Sequence, residues 1–184
     1  MKHLLNITMI CLLIGGTSVA KAEITGPAIG TEIQHDLNVL DQHYNEQSFQ
    51  TLVGAKGLVL FFVRSADWCP YCRIQMLDLN KRSSEFTDLG YTVATVSYDD
   101  VDALAKFSDR YKITYPLLSD SGSKIIKSFG ILNTEKQEGE FGYGIPYPGV
   151  FVIYPDKKIG AKYFEEGYKE RPDLDVILED LAQE

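Results

Sequence analysis

Apolar and polar positions change their spacing several times along the chain, and each change marks an element. Leu37 to Gly57 reads as a short strand, a turn and a brief helical stretch closed by Gly54 and Gly57. Leu58 to Val63, LVLFFV, is an unbroken apolar run of strand length, the pattern of a central strand buried on both faces. From Pro70 to Leu89 the spacing turns helical, with Ile74, Leu77, Phe86 and Leu89 predicted on one side and Gly90 as a stop. Tyr91 to Tyr98, YTVATVSY, is β-branched and aromatic and predicts a second strand. Asp99 and Asp100 offer a cap for a helix over Val101–Tyr111, where Val101, Leu104, Ser108 and Tyr111 recur at helical spacing. YPLLS is a short extended piece, and SKIIKSFG one more helical segment. The runs GVFVIY and KIGAKYF flank PDK and predict a hairpin, and Asp173 opens an amphipathic helix carrying Leu174, Ile177, Leu178 and Leu181. Strand–helix–strand–helix, then hairpin and helix, is an α/β order with a mixed sheet. Asn133 to Gly144, NTEKQEGEFGYG, has no period. It reads as a surface loop, either a lid or partner contact or a loop without function.

The first 22 residues stand apart from this order. MKHLLNITMICLLIGGTSVAKA has a basic start, an apolar run from Leu4 to Ile14 and an Ala-x-Ala ending at Ala22. That is the layout of a signal peptide, and the run is shorter than the roughly 20 residues a membrane-spanning helix needs. Residues 1–22 are therefore expected to be removed on export, without membrane insertion, leaving residues 23–184 as one domain. The formal charge of −8 becomes more acidic when Lys2 and Lys21 leave. An acidic chain with no basic run argues against nucleic acid or anionic lipid as partner.

Export changes the meaning of the cysteines. Cys11 leaves with the leader, so only Cys69 and Cys72 remain, in SADWCPYCR. In an oxidising compartment two such thiols pair unless something keeps them reduced. They follow a buried strand and open a helix, where unpartnered N–H groups and a positive dipole end favour a thiolate. Pro70 fits the first helical turn, where its missing N–H costs nothing. The pattern suits Cys69 as nucleophile and Cys72, one turn deeper and less exposed, as resolving thiol. Zinc would need two more ligands, and the mature chain offers only His35 and His43. A structural staple over so short a loop would remove little chain entropy. Trp68 is either a core aromatic or a wall beside Cys69, and Arg64, Asp67 and Arg73 are either charges that tune the thiolate or solvated ones.

LVLFFVRSADWCPYC, the stretch from Tyr91 to Ile131, and GIPYPGVFVIYPDKKI together resemble the alkyl hydroperoxide reductase/thiol-specific antioxidant family, along with thioredoxin-like disulfide reductases of the periplasm. The resemblance covers about Ala28 to Leu181 and implies a thioredoxin-like fold: a central mixed sheet flanked by helices on both faces. It implies that Pro148 is the cis-proline facing the cysteines, with Pro146 as competitor one register away. Tyr147 would then be free to pair with an extended substrate. Aligned on the peroxiredoxin pattern, Cys72 takes the peroxidatic position. Ser65 and Cys69 stand where a proline and a threonine or serine are expected, and Pro148 where an arginine is. Thioredoxins carry an acid six residues before the nucleophile; here that position is Val63.

The expected activity is an exported, periplasmic thiol–disulfide oxidoreductase with Cys69 and Cys72 as the couple and Trp68, Tyr147 and Pro148 shaping the substrate contact. It needs no metal, nucleotide or flavin, and draws electrons from an upstream thiol reductant. The alternatives are a thiol peroxidase and a binding module with idle thiols, its partner contact around Glu135, Glu138 and Glu140.

Overall fold

A computed structural model of the chain describes residues 26–165, 167 and 169–184; the leader expected over residues 1–22 lies outside them. The elements run β1 (Val39–Leu40), β2 (Glu46–Gln47), α1 (Phe49–Leu52), β3 (Gly57–Phe62), α2 (Pro70–Asp88), β4 (Tyr91–Ser97), α3 (Val101–Tyr111) and β5 (Leu117–Ser119). There follow α4 (Lys124–Ser128), β6 (Gly149–Ile153), β7 (Ile159–Tyr163) and α5 (Leu174–Leu181). No helix among the described residues is long and apolar enough to cross a membrane.

Five strands form one mixed sheet in the order β5-β4-β3-β6-β7. β3 runs parallel to β4 with Leu58 opposite Thr92 and Phe62 opposite Val96, and antiparallel to β6 with Phe62 opposite Gly149. All six residues of β3 are buried, as a central strand with covered faces requires. Alternation along it divides the core. Val59, Phe61 and Val63 pack with Met76, Leu79 and Phe86 of α2, Leu104 and Phe107 of α3 and Ile177 of α5. Leu58, Leu60 and Phe62 face Phe49 of α1, Ile125 and Ile126 of α4 and Phe151. The helices thus cover both faces of the sheet.

The helix after the cysteines sits differently from the expected stripe. Its buried residues are Cys72, Gln75, Met76, Leu79 and Phe86, whereas Ile74 is 66% exposed. Turning Cys72 inward rotates the first turns so that Ile74 faces solvent. Asp100 alone caps α3, accepting the Ala103 N–H at 2.8 Å; Asp99 points elsewhere. At the start of β6, a Cβ on Gly149 would run into the Phe164 ring, which packs edge-on against Phe151 with centroids 5.4 Å apart. Gly149→Ala is expected to cost about 1–3 kcal/mol through overpacking. Urea denaturation checks this as a lowered midpoint with an unchanged slope.

Candidate active site

β3 and β4 are parallel and end together, and the site is built where they stop. Past β3 the Val63 N–H still donates to Val96 O at 3.0 Å; the chain then turns through Ala66–Trp68 before α2 begins. Asp99, just beyond β4, holds this turn. It accepts from the Ser65 hydroxyl at 2.7 Å, the Ala66 N–H at 2.7 Å and the Ser97 hydroxyl at 2.8 Å. Ser65 Oγ in turn accepts the Asp67 and Trp68 N–H groups at 3.0 and 3.2 Å. Burial pushes the Asp99 carboxyl above its ordinary value, against the three bonds that favour its charged form.

The turn delivers Cys69 as the N-cap of α2 with Pro70 in the first turn, and Cys69 and Cys72 are joined as a disulfide with Cα atoms 5.3 Å apart. The Cys72 N–H points at Cys69 Sγ from 3.3 Å, and the Arg64 N–H at Cys72 Sγ from 3.3 Å. No acidic residue occupies the first turn of α2 to offset its dipole. This is the environment expected for a stabilised thiolate. The exposure differs from expectation: Cys69 is 1% exposed and Cys72 0%, so the two do not separate into a surface and a buried thiol. The cover comes in part from a residue the sequence did not single out. Arg171, between β7 and α5, places Nη2 3.3 Å from Cys72 Sγ and 3.9 Å from Cys69 Sγ. Burial, and the nearby charge of Arg64, lower the Arg171 guanidinium to about 10.

Trp68 packs against the cluster that contains both cysteines. Its Nε1–H donates to the Tyr98 hydroxyl at 2.9 Å, and the Arg64 guanidinium lies 5.0 Å from its ring centroid. Its other neighbour is Phe141, whose ring centroid is 5.1 Å away although Phe141 is 73% exposed. Phe141 belongs to the aperiodic Asn133–Gly144 loop, which therefore reaches the rim of the site. Its other end is tied down by the Ser123 hydroxyl, which donates to Gly144 O at 2.8 Å.

Tyr147 and Pro148 lead into β6, whose Gly149 pairs with Phe62, and so lie at the same end of the sheet as the cysteines. The cis bond expected at Pro148 is not there: no cis peptide bond occurs among the described residues, at Pro146 or Pro148. Nor is the Tyr147 N–H free. It donates to Ile131 O at 2.7 Å, because residues 131–133 already pair with this stretch through the Leu132–Pro146 bridge and the Asn133 N–H to Ile145 O bond. A groove of about 510 Å³ opens on another side of the pair, between α2 and the segment before α5. Tyr71, Ile74, Leu77, Arg171, Pro172 and Leu174 are among its walls.

The AhpC/TSA family description matches residues 29–162. The chain is 24% identical over 157 residues to peroxiredoxin Bcp of Escherichia coli, covering 85% of this chain and 97% of that one. It is 26% identical over 117 residues to the thiol–disulfide oxidoreductase ResA of Bacillus thuringiensis, covering 63% of this chain and 60% of ResA. Among solved structures, peroxidoxin BcpB of Mycobacterium tuberculosis superposes with a TM-score of 0.68 at 24% identity, over 88% of this chain and 98% of that one, a likeness of fold. With a mixed sheet covered on both faces and a cysteine pair at the start of α2, the chain belongs to the AhpC/TSA family of thioredoxin-fold oxidoreductases.

Proposed function

We propose that this protein is an exported thiol–disulfide oxidoreductase working through Cys69 and Cys72. The observation that carries this is the pair itself: two sulfurs bonded at a helix start, with the Cys72 N–H aimed at Cys69 Sγ from 3.3 Å. In the reduced protein that N–H and the helix dipole favour a Cys69 thiolate, the attacking species in disulfide exchange. Ser65 and Cys69 occupy the positions where a peroxiredoxin's proline and threonine would help bind a peroxide, which further favours exchange. Substrate reaches Cys69 from the rim formed by Trp68 and Phe141, with Tyr147 and Pro148 contributing side-chain contacts. Because both sulfurs are covered, the rim of Trp68 and Phe141 must open for a substrate disulfide to reach Cys69. Electrons arrive from an upstream thiol reductant and leave to a protein or small-molecule disulfide. Processing after Ala22 would place the reaction in the periplasm of a two-membrane cell. The mass of the chain recovered from that compartment tests this, and an unprocessed chain contradicts it.

Thiol labelling tests the chemistry. The reduced protein is expected to alkylate at Cys69 rapidly at about pH 6, well below the ~8.5 of an ordinary thiol. Slow labelling of both cysteines would favour a binding module with idle thiols. The second catalytic reading, a thiol peroxidase, draws support from the contacts that converge on Cys72 and from the likeness to a peroxiredoxin.

A further inference from the structure

The buried position that carries an acid in thioredoxins is Val63 here, fully buried and unable to take a proton. Yet Cys72 must lose its proton before it can resolve a mixed disulfide. What faces its sulfur is a cation. Arg171 Nη2 lies 3.3 Å from Cys72 Sγ, closer than to Cys69 Sγ at 3.9 Å, and the Arg64 N–H adds a second donor at 3.3 Å. Both donors bond the charged form of sulfur better than the neutral one. Arg171 comes from a segment 99 residues from Cys72 and beyond residues 29–162, the part that matches the family.

We propose that Arg171 is a positioning residue that holds Cys72 as a thiolate once Cys69 is joined to substrate, replacing base catalysis by a cation. The proposal rests on the disulfide-exchange reading of the Cys69–Cys72 pair. The Cys69 thiolate attacks one sulfur of a substrate disulfide, forming a Cys69–substrate bond while the other substrate sulfur leaves as a thiolate. Cys72, facing a Cys69 that no longer carries charge, then gives its proton to water, and its thiolate attacks Cys69 Sγ. The Cys69–Cys72 bond forms, the bond to substrate breaks, and the remaining substrate sulfur departs as a thiolate that water protonates. The protein loses two electrons and the substrate gains two. In the reverse direction the same guanidinium stabilises Cys72 as leaving group when a reductant attacks Cys69.

Among the described residues, the charged groups bearing on Arg171 include Arg64, which opposes its charge, and Glu170, which supports it. Of the acids near the turn, Asp67 lies within it before Cys69, and Asp99 holds it from the end of β4 through the Ala66 N–H. The guanidinium keeps its proton throughout the range in which a thiol titrates, since burial lowers it only to about 10.

The test follows the ultraviolet absorbance of the thiolate against pH in a full chain carrying Cys11→Ser and Cys69→Ser, so that Cys72 is the one thiol. With Arg171 in place, Cys72 is expected to titrate well below ~8.5; Arg171→Gln raises this by about one pH unit or more, and Arg171→Lys retains most of the lowering. In the chain with both cysteines, Arg171→Gln is expected to shift the equilibrium with glutathione about tenfold toward the protein disulfide, about 30 mV more negative. Cys72 titrating at or above ~8.5 with Arg171 present overturns the inference, as does a titration that Arg171→Gln leaves unmoved. The first outcome needs no variant of Arg171, so a poorly folded Arg171→Gln chain does not shield the inference. If the arginine moves the titration but the native protein exchanges no disulfides, the functional reading fails and the arginine's role stands. If exchange is brisk and the titration does not move, the arginine's role fails alone.

Discussion

Cys72→Ser is expected to turn the protein from an exchanger into a trap. Cys69 keeps its place at the start of α2 and still attacks a substrate disulfide, but no second sulfur remains to release the product. Multiple-turnover reduction of a disulfide substrate should fall on the order of a thousandfold or more, as when one member of a catalytic unit is removed. A Cys69-linked mixed disulfide should accumulate and appear in non-reducing electrophoresis or intact mass. The same variant separates the rivals. A peroxidase using Cys69 would still consume peroxide given an external thiol. One using Cys72 would lose activity here, yet keep its first oxidation step in Cys69→Ser. Rapid peroxide consumption with poor disulfide exchange by the native protein would decide for the peroxidase.

The second large effect is expected at a residue with no sulfur contact. Asp99→Ala removes the acceptor of the Ala66 N–H and of the Ser65 and Ser97 hydroxyls, all in buried surroundings. The hydroxyls can rotate to other partners, but the Ala66 N–H cannot. Losing this buried hub is expected to cost about 2–4 kcal/mol. It should also slow exchange by roughly tenfold to a hundredfold, because the turn it holds sets the position of Cys69. Asp99→Asn keeps an oxygen for Ala66 and should lose less than half as much stability. The pH dependence has a definite sign. The folded carboxyl is raised by burial, so its neutral form is the one folding favours. Its contribution is fully present below the unfolded carboxyl value, about 3.9, and is lost as pH rises through the higher folded value. Asp99→Asn removes that fall. Urea midpoints measured across the acid range check it; a native protein and an Asp99→Asn chain with parallel profiles would contradict it.

The period-based elements were the legible part of the fold. LVLFFV became a fully buried central strand as far as Phe62, and the helix from Val101 to Tyr111 has those bounds because Asp100 caps it and Lys112 closes it in the left-handed conformation. α2 was legible as a helix, but its first turns were not. The buried stripe includes a polar residue, Gln75, and the inward turn of Cys72 leaves Ile74 outside, so apolar spacing placed Leu77, Phe86 and Leu89 against the core but not Ile74. Cys69 and Cys72 could be read because their chemistry needs local sequence: a strand end, a proline and a helix start. The contacts on them could not. Arg171, Asp99 and Phe141 reach the site from loops or strand ends, without periodicity, and only the closed sheet brings them together. Tyr147 shows the converse. Its place near β6 was legible, but the pairing of residues 131–133 that occupies its N–H depends on a long loop folding back.

The measurement that bears most directly on the Cys69–Cys72 couple is its reduction potential against glutathione. A working exchange centre is predicted to lie between about −120 and −270 mV, the range spanned by thioredoxin-fold oxidoreductases. A value below about −300 mV, resistant to reduction by glutathione, would make the bond a structural staple and contradict the account.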